Sequence, residues 1–85
     1  MTVAERFGQN LLRERKRAGI SQEELSFMAS LHRTEISMVE RGVRLPRIDT
    51  LVKLAASLEV DPCDLLDGLS WKPGARAVGH FGTDS

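Results

Sequence analysis

SLHRTEISMVERG, residues 30–42, stops at a glycine and carries two apolar anchors three apart, Ile36 and Val39. Two are too few for a helix that lines a core, although their spacing puts both on one side of a helix. With roughly 100° of rotation per residue, Arg33, Ser37, Arg41, Thr34 and Met38 collect on the opposite side. That face is mostly polar or positive, and Glu35 borders both sides. A helix held by two apolar teeth either shows an ordinary solvated face or is shaped to enter a partner.

Reading outward settles the surroundings. Just upstream, Ser21-Gln22-Glu23-Glu24 is a capping box, in which the serine hydroxyl and the glutamate carboxylate satisfy each other's backbone amides. It predicts a short helix over Gln22 to Ala29 with Leu25 and Ala29 inward, followed by a turn at Ser30 to His32. Before it, FGQNLLRERKRA predicts a helix with Phe7, Leu11 and Ala18 on one side, and Gly19 as its stop. Downstream, Pro46 fixes the loop VRLPR. Ile48, Leu51, Leu54, Ala55 and Leu58 then mark a fourth helix. Asp61-Pro62-Cys63-Asp64 opens a fifth, with aspartate as cap and proline at the first position, and Gly68 ends it.

No stretch shows the alternation of a half-buried strand, so residues 1–69 read as an all-α, five-helix domain. Residues 70–85 read as a mostly disordered tail, because KPGARAVGHFGTDS is rich in glycine and poor in apolar periodicity. Trp71 stands at the boundary. It packs over the domain's own core or serves a dimer interface. Phe27, projecting away from Leu25, is expected to pack against a neighbouring helix or the tail.

The bulk composition narrows the function. The 85 residues carry twelve Lys/Arg and twelve Asp/Glu, for a net charge of zero. The distribution is uneven: residues 1–53 hold ten basic against seven acidic, +3, and residues 54–85 hold two against five, −3. A basic working surface and an acidic far end follow. One cysteine, Cys63, forbids an internal disulfide and any Cys/His zinc spacing, so no metal is expected. With no long apolar run and a charged start, MTVAERFG, the expected setting is cytoplasmic. There is no glycine-rich phosphate loop and no histidine beside a plausible nucleophile, which argues against an enzyme and against any cofactor.

Two short helices joined across a three-residue turn form the helix-turn-helix arrangement, whose second helix lies in the DNA major groove. The groove is about 12 Å wide and admits a helix with its side chains. The run from Ala18-Gly19-Ile20-Ser21-Gln22-Glu23-Glu24-Leu25 through Ile36-Ser37 and Glu40-Arg41-Gly42 to Arg44, Pro46 and Thr50-Leu51 closely resembles the Cro/C1-type (XRE) helix-turn-helix family. The resemblance spans about residues 7–67. It implies a lambda-repressor-like fold, a transcriptional regulator of the repressor kind, and a homodimer on two-fold-related double-stranded DNA.

The resemblance also implies roles for individual residues. Arg33, Thr34 and Met38 match positions that reach base edges, with Ser37 between them. Gln22 matches a glutamine that binds a phosphate at a helix N-terminus, where the macrodipole favours an anion. Arg41, Arg44 and Arg47 bracket the loop that contacts phosphates. Arg15 and Glu40 match an ion pair that joins the first helix to the third.

Three departures from the family pattern stand out: Arg47 replaces a small capping residue, His32 stands at the cap of the third helix, and Ser30 replaces a glycine in the turn. The neutral net charge argues mildly against a nucleic-acid binder. An antitoxin or a restriction–modification controller would share this pattern, as would a protein-interaction module that has lost DNA binding. No small-molecule effector is expected within the chain.

Overall fold

The computed structural model describes residues 1–74 and 78–83. Five helices run in order: α1 (Val3–Ala18), α2 (Gln22–Ala29), α3 (Arg33–Glu40), α4 (Ile48–Leu58) and α5 (Pro62–Leu65). Two short strands follow, β1 (Leu69–Lys72) and β2 (His80–Thr83). The first helix starts four residues before the FGQ stretch. Thr2 and Glu5 form its capping box, with the Glu5 amide donating to Thr2 Oγ1 at 3.1 Å and the Thr2 amide to Glu5 Oε1 at 2.8 Å. The hydrogen bonds from Thr2, backbone first and then side chain, hold the Glu5 carboxyl below its usual range. Ser21 and Glu24 close the same box on α2, and Asp61 and Asp64 on α5.

The core gathers one stripe from each helix: Phe7 and Leu11, Leu25 and Ala29, Ile36 and Val39, Leu51, Leu54, Ala55 and Leu58, and Leu65. Fully burying one such large side chain contributes about 1.5–3 kcal/mol, so this cluster drives the fold. The inward stripe of α1 is half polar, however. Ala18 is exposed, whereas Asn10 and Glu14 are buried. Asn10 Nδ2 donates to the carbonyls of Leu65 and Asp67 at 3.0 and 2.8 Å, and Arg6 Nε donates to Asp67 O at 3.2 Å. The last carbonyls of a helix lack partners within it. α1 therefore carries polar side chains inward because it completes the end of the one-turn helix α5.

Four expectations fail, for Ile48, Phe27, the tail and the packing of Trp71 on the core. Ile48 is 76% exposed and Phe27 87% exposed, so neither packs on the monomer. The segment after Leu69 is not a featureless tail. β1 and β2 pair antiparallel, Leu69 opposite Thr83 and Trp71 opposite Phe81. The strands are only four residues each, and HFGT carries a single apolar side chain, so no period-2 signal stands out among the glycines. Leu69 packs on the core, and Thr83 Oγ1 donates to the Met1 carbonyl at 3.3 Å. Trp71 does not cover the core. It is half exposed and meets Phe81 edge-on, ring centroids 4.9 Å apart.

Serine at position 30 adopts a left-handed backbone, φ 55° and ψ 47°, while its amide donates to the carbonyls that end α2. A non-glycine residue is strained there by about 1–2 kcal/mol. Ser30→Gly is expected to raise stability by roughly 1 kcal/mol. Thermal unfolding should register that as a midpoint several degrees higher, with DNA affinity unchanged.

Candidate nucleic-acid interface

The two apolar anchors of α3 behave as their spacing demands: Ile36 and Val39 are each 1% exposed. A second restraint comes from α1. A Cβ on Gly8 would collide with the carbonyl oxygens of Val39 and Glu40, so the backbones of α1 and α3 meet where only glycine fits. A lone glycine inside a helical pattern is the available signal for such an approach, and the sequence reading passes over it.

A third restraint is ionic. Arg15 Nε and Nη2 donate to Glu40 Oε2 and Oε1 at 2.6 and 3.0 Å, and Arg15 Nη1 donates to the Ile20 carbonyl at 3.0 Å. The hydrogen bonds to Glu40 push the Arg15 guanidinium above its ordinary pKa. Their side chains are 13% and 5% exposed, so this bidentate pair is removed from water. Gln22, the first residue of α2, adds to it: its Nε2 donates to Glu40 Oε1 at 2.9 Å. Glu40 thus ties α1, α2 and α3 at one point.

With its inner side held by Ile36, Val39, Gly8 and Glu40, α3 presents the rest outward. Arg33 and Thr34 are exposed, and Ser37, Met38 and Glu35 are partly covered. Arg33 Nη1 donates to Gln22 Oε1 at 3.4 Å, which brings the first base-reading candidate against the first phosphate candidate. Arg41 caps the helix, and its Nε folds back on the Ser37 carbonyl at 3.3 Å. Arg44 is exposed on the loop beyond. Arg47 precedes α4, makes no capping bond with its side chain, and reaches Asp49 at 3.1 Å. His32 likewise supplies no side-chain cap to α3.

Arg13 and Arg17 belong to a different cluster. Both contact the buried carboxylate of Glu14, and Arg13 also donates to the Asp64 carbonyl. Arg13 serves the α1–α5 contact, and Arg17 pairs with Glu14 on its own helix. Among the described residues no group of three or more His, Cys, Asp or Glu is arranged to hold a metal ion. Among the described residues no helix is long and apolar enough to cross a membrane.

Two short helices at a turn, the second pinned inside and polar outside, define a helix-turn-helix DNA-binding domain. Residues 11–65 match the family model described as helix-turn-helix. Control protein C.BamHI of Bacillus amyloliquefaciens is 45% identical over 62 residues, covering 72% of this chain and 76% of that protein. The solved controller C.AhdI of Aeromonas hydrophila superposes with a TM-score of 0.71 at 39% identity, covering 73% of this chain and 94% of that one. The DNA-binding domain of the P22 c2 repressor gives 0.70 at 31% identity, covering 73% and 82%. The chain belongs to the XRE helix-turn-helix family of DNA-binding transcriptional regulators. These relatives are regulatory proteins rather than enzymes.

Removing one partner of a buried ion pair costs about 3–5 kcal/mol, because the other is left uncompensated. This pair is not fully buried and Gln22 stays on Glu40, so Arg15→Ala is expected to destabilise the domain by less, about 1.5–3 kcal/mol. Urea unfolding should show the midpoint falling with little change in slope; a loss below 1 kcal/mol would show that Glu40 does not organise the three helices.

Proposed function

We propose that the chain is a controller-type regulator that binds a two-fold-related operator as a homodimer, with α3 lying in the major groove of each half-site. One observation carries this reading. The face bearing Arg33, Thr34, Ser37 and Met38 is turned outward on a helix whose other side is fixed by packing and by a buried ion pair. A reading helix must be rigid in this way, since an ångström of play would blur hydrogen bonds to base edges.

In this reading Arg33 forms a bidentate pair with guanine. The Thr34 methyl and Met38 contact thymine methyls, and Ser37 contributes a hydroxyl at the groove edge. Gln22 at the α2 N-terminus, together with Arg41, Arg44 and Arg47, grips phosphates on either side and sets the register. Arg47 leaves Asp49 to do so, an exchange that costs little because a surface pair contributes about 0–1 kcal/mol.

Dimerisation suits the geometry, because one short helix spans only a few base pairs and pairing places half-sites about 34 Å apart. The outer side of α4 offers surface for it, with Ile48 and Val52 exposed at 76% and 54% one turn apart. By name C.BamHI and C.SmaI are control proteins and C.AhdI a restriction–modification controller protein, which favours a controller role here over an antitoxin or a plain repressor. Neighbouring genes for a nuclease and a methyltransferase test that choice.

Selection of bound duplexes from a random library tests the binding mode. The expected motif has two related half-sites, one helical turn apart between centres. Arg33→Ala should relax a single position per half-site, losing about 1–3 kcal/mol of discrimination there. Arg44→Ala should weaken all duplexes alike and flatten the plot of log affinity against log salt by about one unit per half-site. Identical effects of both substitutions on selected and random duplexes would remove the groove assignment.

A further inference from the structure

Among the described residues, three carboxylates are withdrawn from full exposure: Glu14, Glu35 and Glu40. Glu14 receives Arg13 and Arg17, and Glu40 receives Arg15 and Gln22. Glu35, in the first turn of α3, has no such donor: its carboxylate makes no hydrogen bond and no ion pair among the described residues. The arginines around α3 turn elsewhere, Arg33 to Gln22, Arg41 to the Ser37 carbonyl and Arg47 to Asp49. By helical rotation Glu35 lies about 160° around the axis from Arg33. The first turn of α3 thus carries a cation on one flank and a half-covered, unpaired anion on the other. In a helix-turn-helix it is the N-terminal residues of the second helix that reach base edges.

We propose that Glu35 is a specificity-determining residue that accepts a hydrogen bond from the amino group of cytosine at one position of each half-site. The inference rests on α3 lying in the major groove. An ionised carboxylate only accepts. Entering the groove strips away its water and carries it toward phosphates, and an uncompensated charge is costly to desolvate. The scaffold supplies no donor to offset that cost, so the donor comes from the DNA. Cytosine N4 offers one, whereas guanine and thymine present acceptors at that edge. Adenine sets its N7 acceptor beside the N6 donor, which suits a carboxamide and repels a carboxylate. Specificity needs rejection of wrong partners as well as attraction to the right one. An anion without a protein partner rejects three of the four bases on its flank. An acid that served only the macrodipole at the start of α3 would favour the helix and carry no base preference.

Parallel selections from a random duplex library with the natural protein, Glu35→Ala and Glu35→Gln test this. The natural protein should return a cytosine in each half-site at a position that becomes degenerate with Glu35→Ala. Glu35→Gln keeps the shape of the side chain and should move that position toward adenine. Changing the cytosine to thymine in a selected duplex is expected to cost the natural protein about tenfold in affinity and to leave Glu35→Ala nearly indifferent. At low salt Glu35→Ala should also bind random duplex more tightly than the natural protein, since an anion has been removed from the approach to the phosphates. Thermal midpoints measured alongside establish that both variants are folded.

Tighter binding of every duplex by Glu35→Ala with the selected motif unchanged would make Glu35 a solvated helix acid and overturn the proposal. Loss of a position that reads any base other than cytosine would overturn it as well. If Arg33→Ala relaxes its own position while Glu35→Ala relaxes none, the groove reading stands and Glu35 alone fails. If neither substitution alters the motif, the groove reading itself fails.

Discussion

A single buried carboxylate organises the working part of this domain. Glu40 stands at the end of α3 and receives Arg15 from α1 and Gln22 from α2. Taking one carboxylate out of water is costly by several kcal/mol, and the cost is offset only when geometry is good and every lone pair is used. Three donors reach the two oxygens, so both are hydrogen-bonded, and no buried side-chain polar atom lacks a partner among the described residues. The ion pair is less a source of net stability than a device for specifying one arrangement of three helices. Apolar packing alone, through Ile36 and Val39, would permit α3 to roll about its axis.

The outward face of α3 follows from this arrangement. Close backbone approach at Gly8 and the two apolar teeth set the depth of the helix, while Glu40 sets its rotation. What remains, from Arg33 through Met38, is exposed or half-covered and free to meet a base edge. The same economy appears at the other end of α1. There Asn10 and Arg6 close the carbonyls of α5 and its following turn, so a four-residue helix can end inside a small domain.

Much of this was legible in residue patterns, and the exceptions have physical causes. The five helices announce themselves through caps at Ser21 and Asp61, stops at Gly19 and Gly42, and apolar spacing in α4. The α1 start was also written in Thr2-x-x-Glu5, but a charged N-terminal segment draws attention to targeting rather than to capping. Spacing cannot tell that Ala18 is outside while Glu14 is inside, because burial of a carboxylate depends on the arginines that reach it from its own helix. Ile48 satisfies the helical period of α4 yet lies beyond the covered arc. Long-range hydrogen bonds such as Gln22 to Glu40 join residues eighteen apart and leave no local trace in the chain. The hairpin was hidden by its brevity, since two four-residue strands, the second with a single apolar side chain, do not outweigh the glycines around them.

β1 and β2 rest on the edge of the helical domain, with Trp71 and Phe81 half exposed on one side. Isolated two-stranded hairpins are marginal in water, so the contact of Leu69 with the core matters to this one. The hairpin lies beyond residues 11–65, the span shared with the helix-turn-helix family.

The central physical claim is that the outer face of α3 is the surface that meets duplex DNA. Backbone amide resonances of isotope-labelled protein, followed while a selected duplex is added, test it most directly. The account predicts that perturbations concentrate on residues 33–38, on Gln22 and on the loop from Arg41 to Arg47, with the amides of β1 and β2 little changed. Perturbations centred on the hairpin or the far end of α5, with α3 silent, would contradict it.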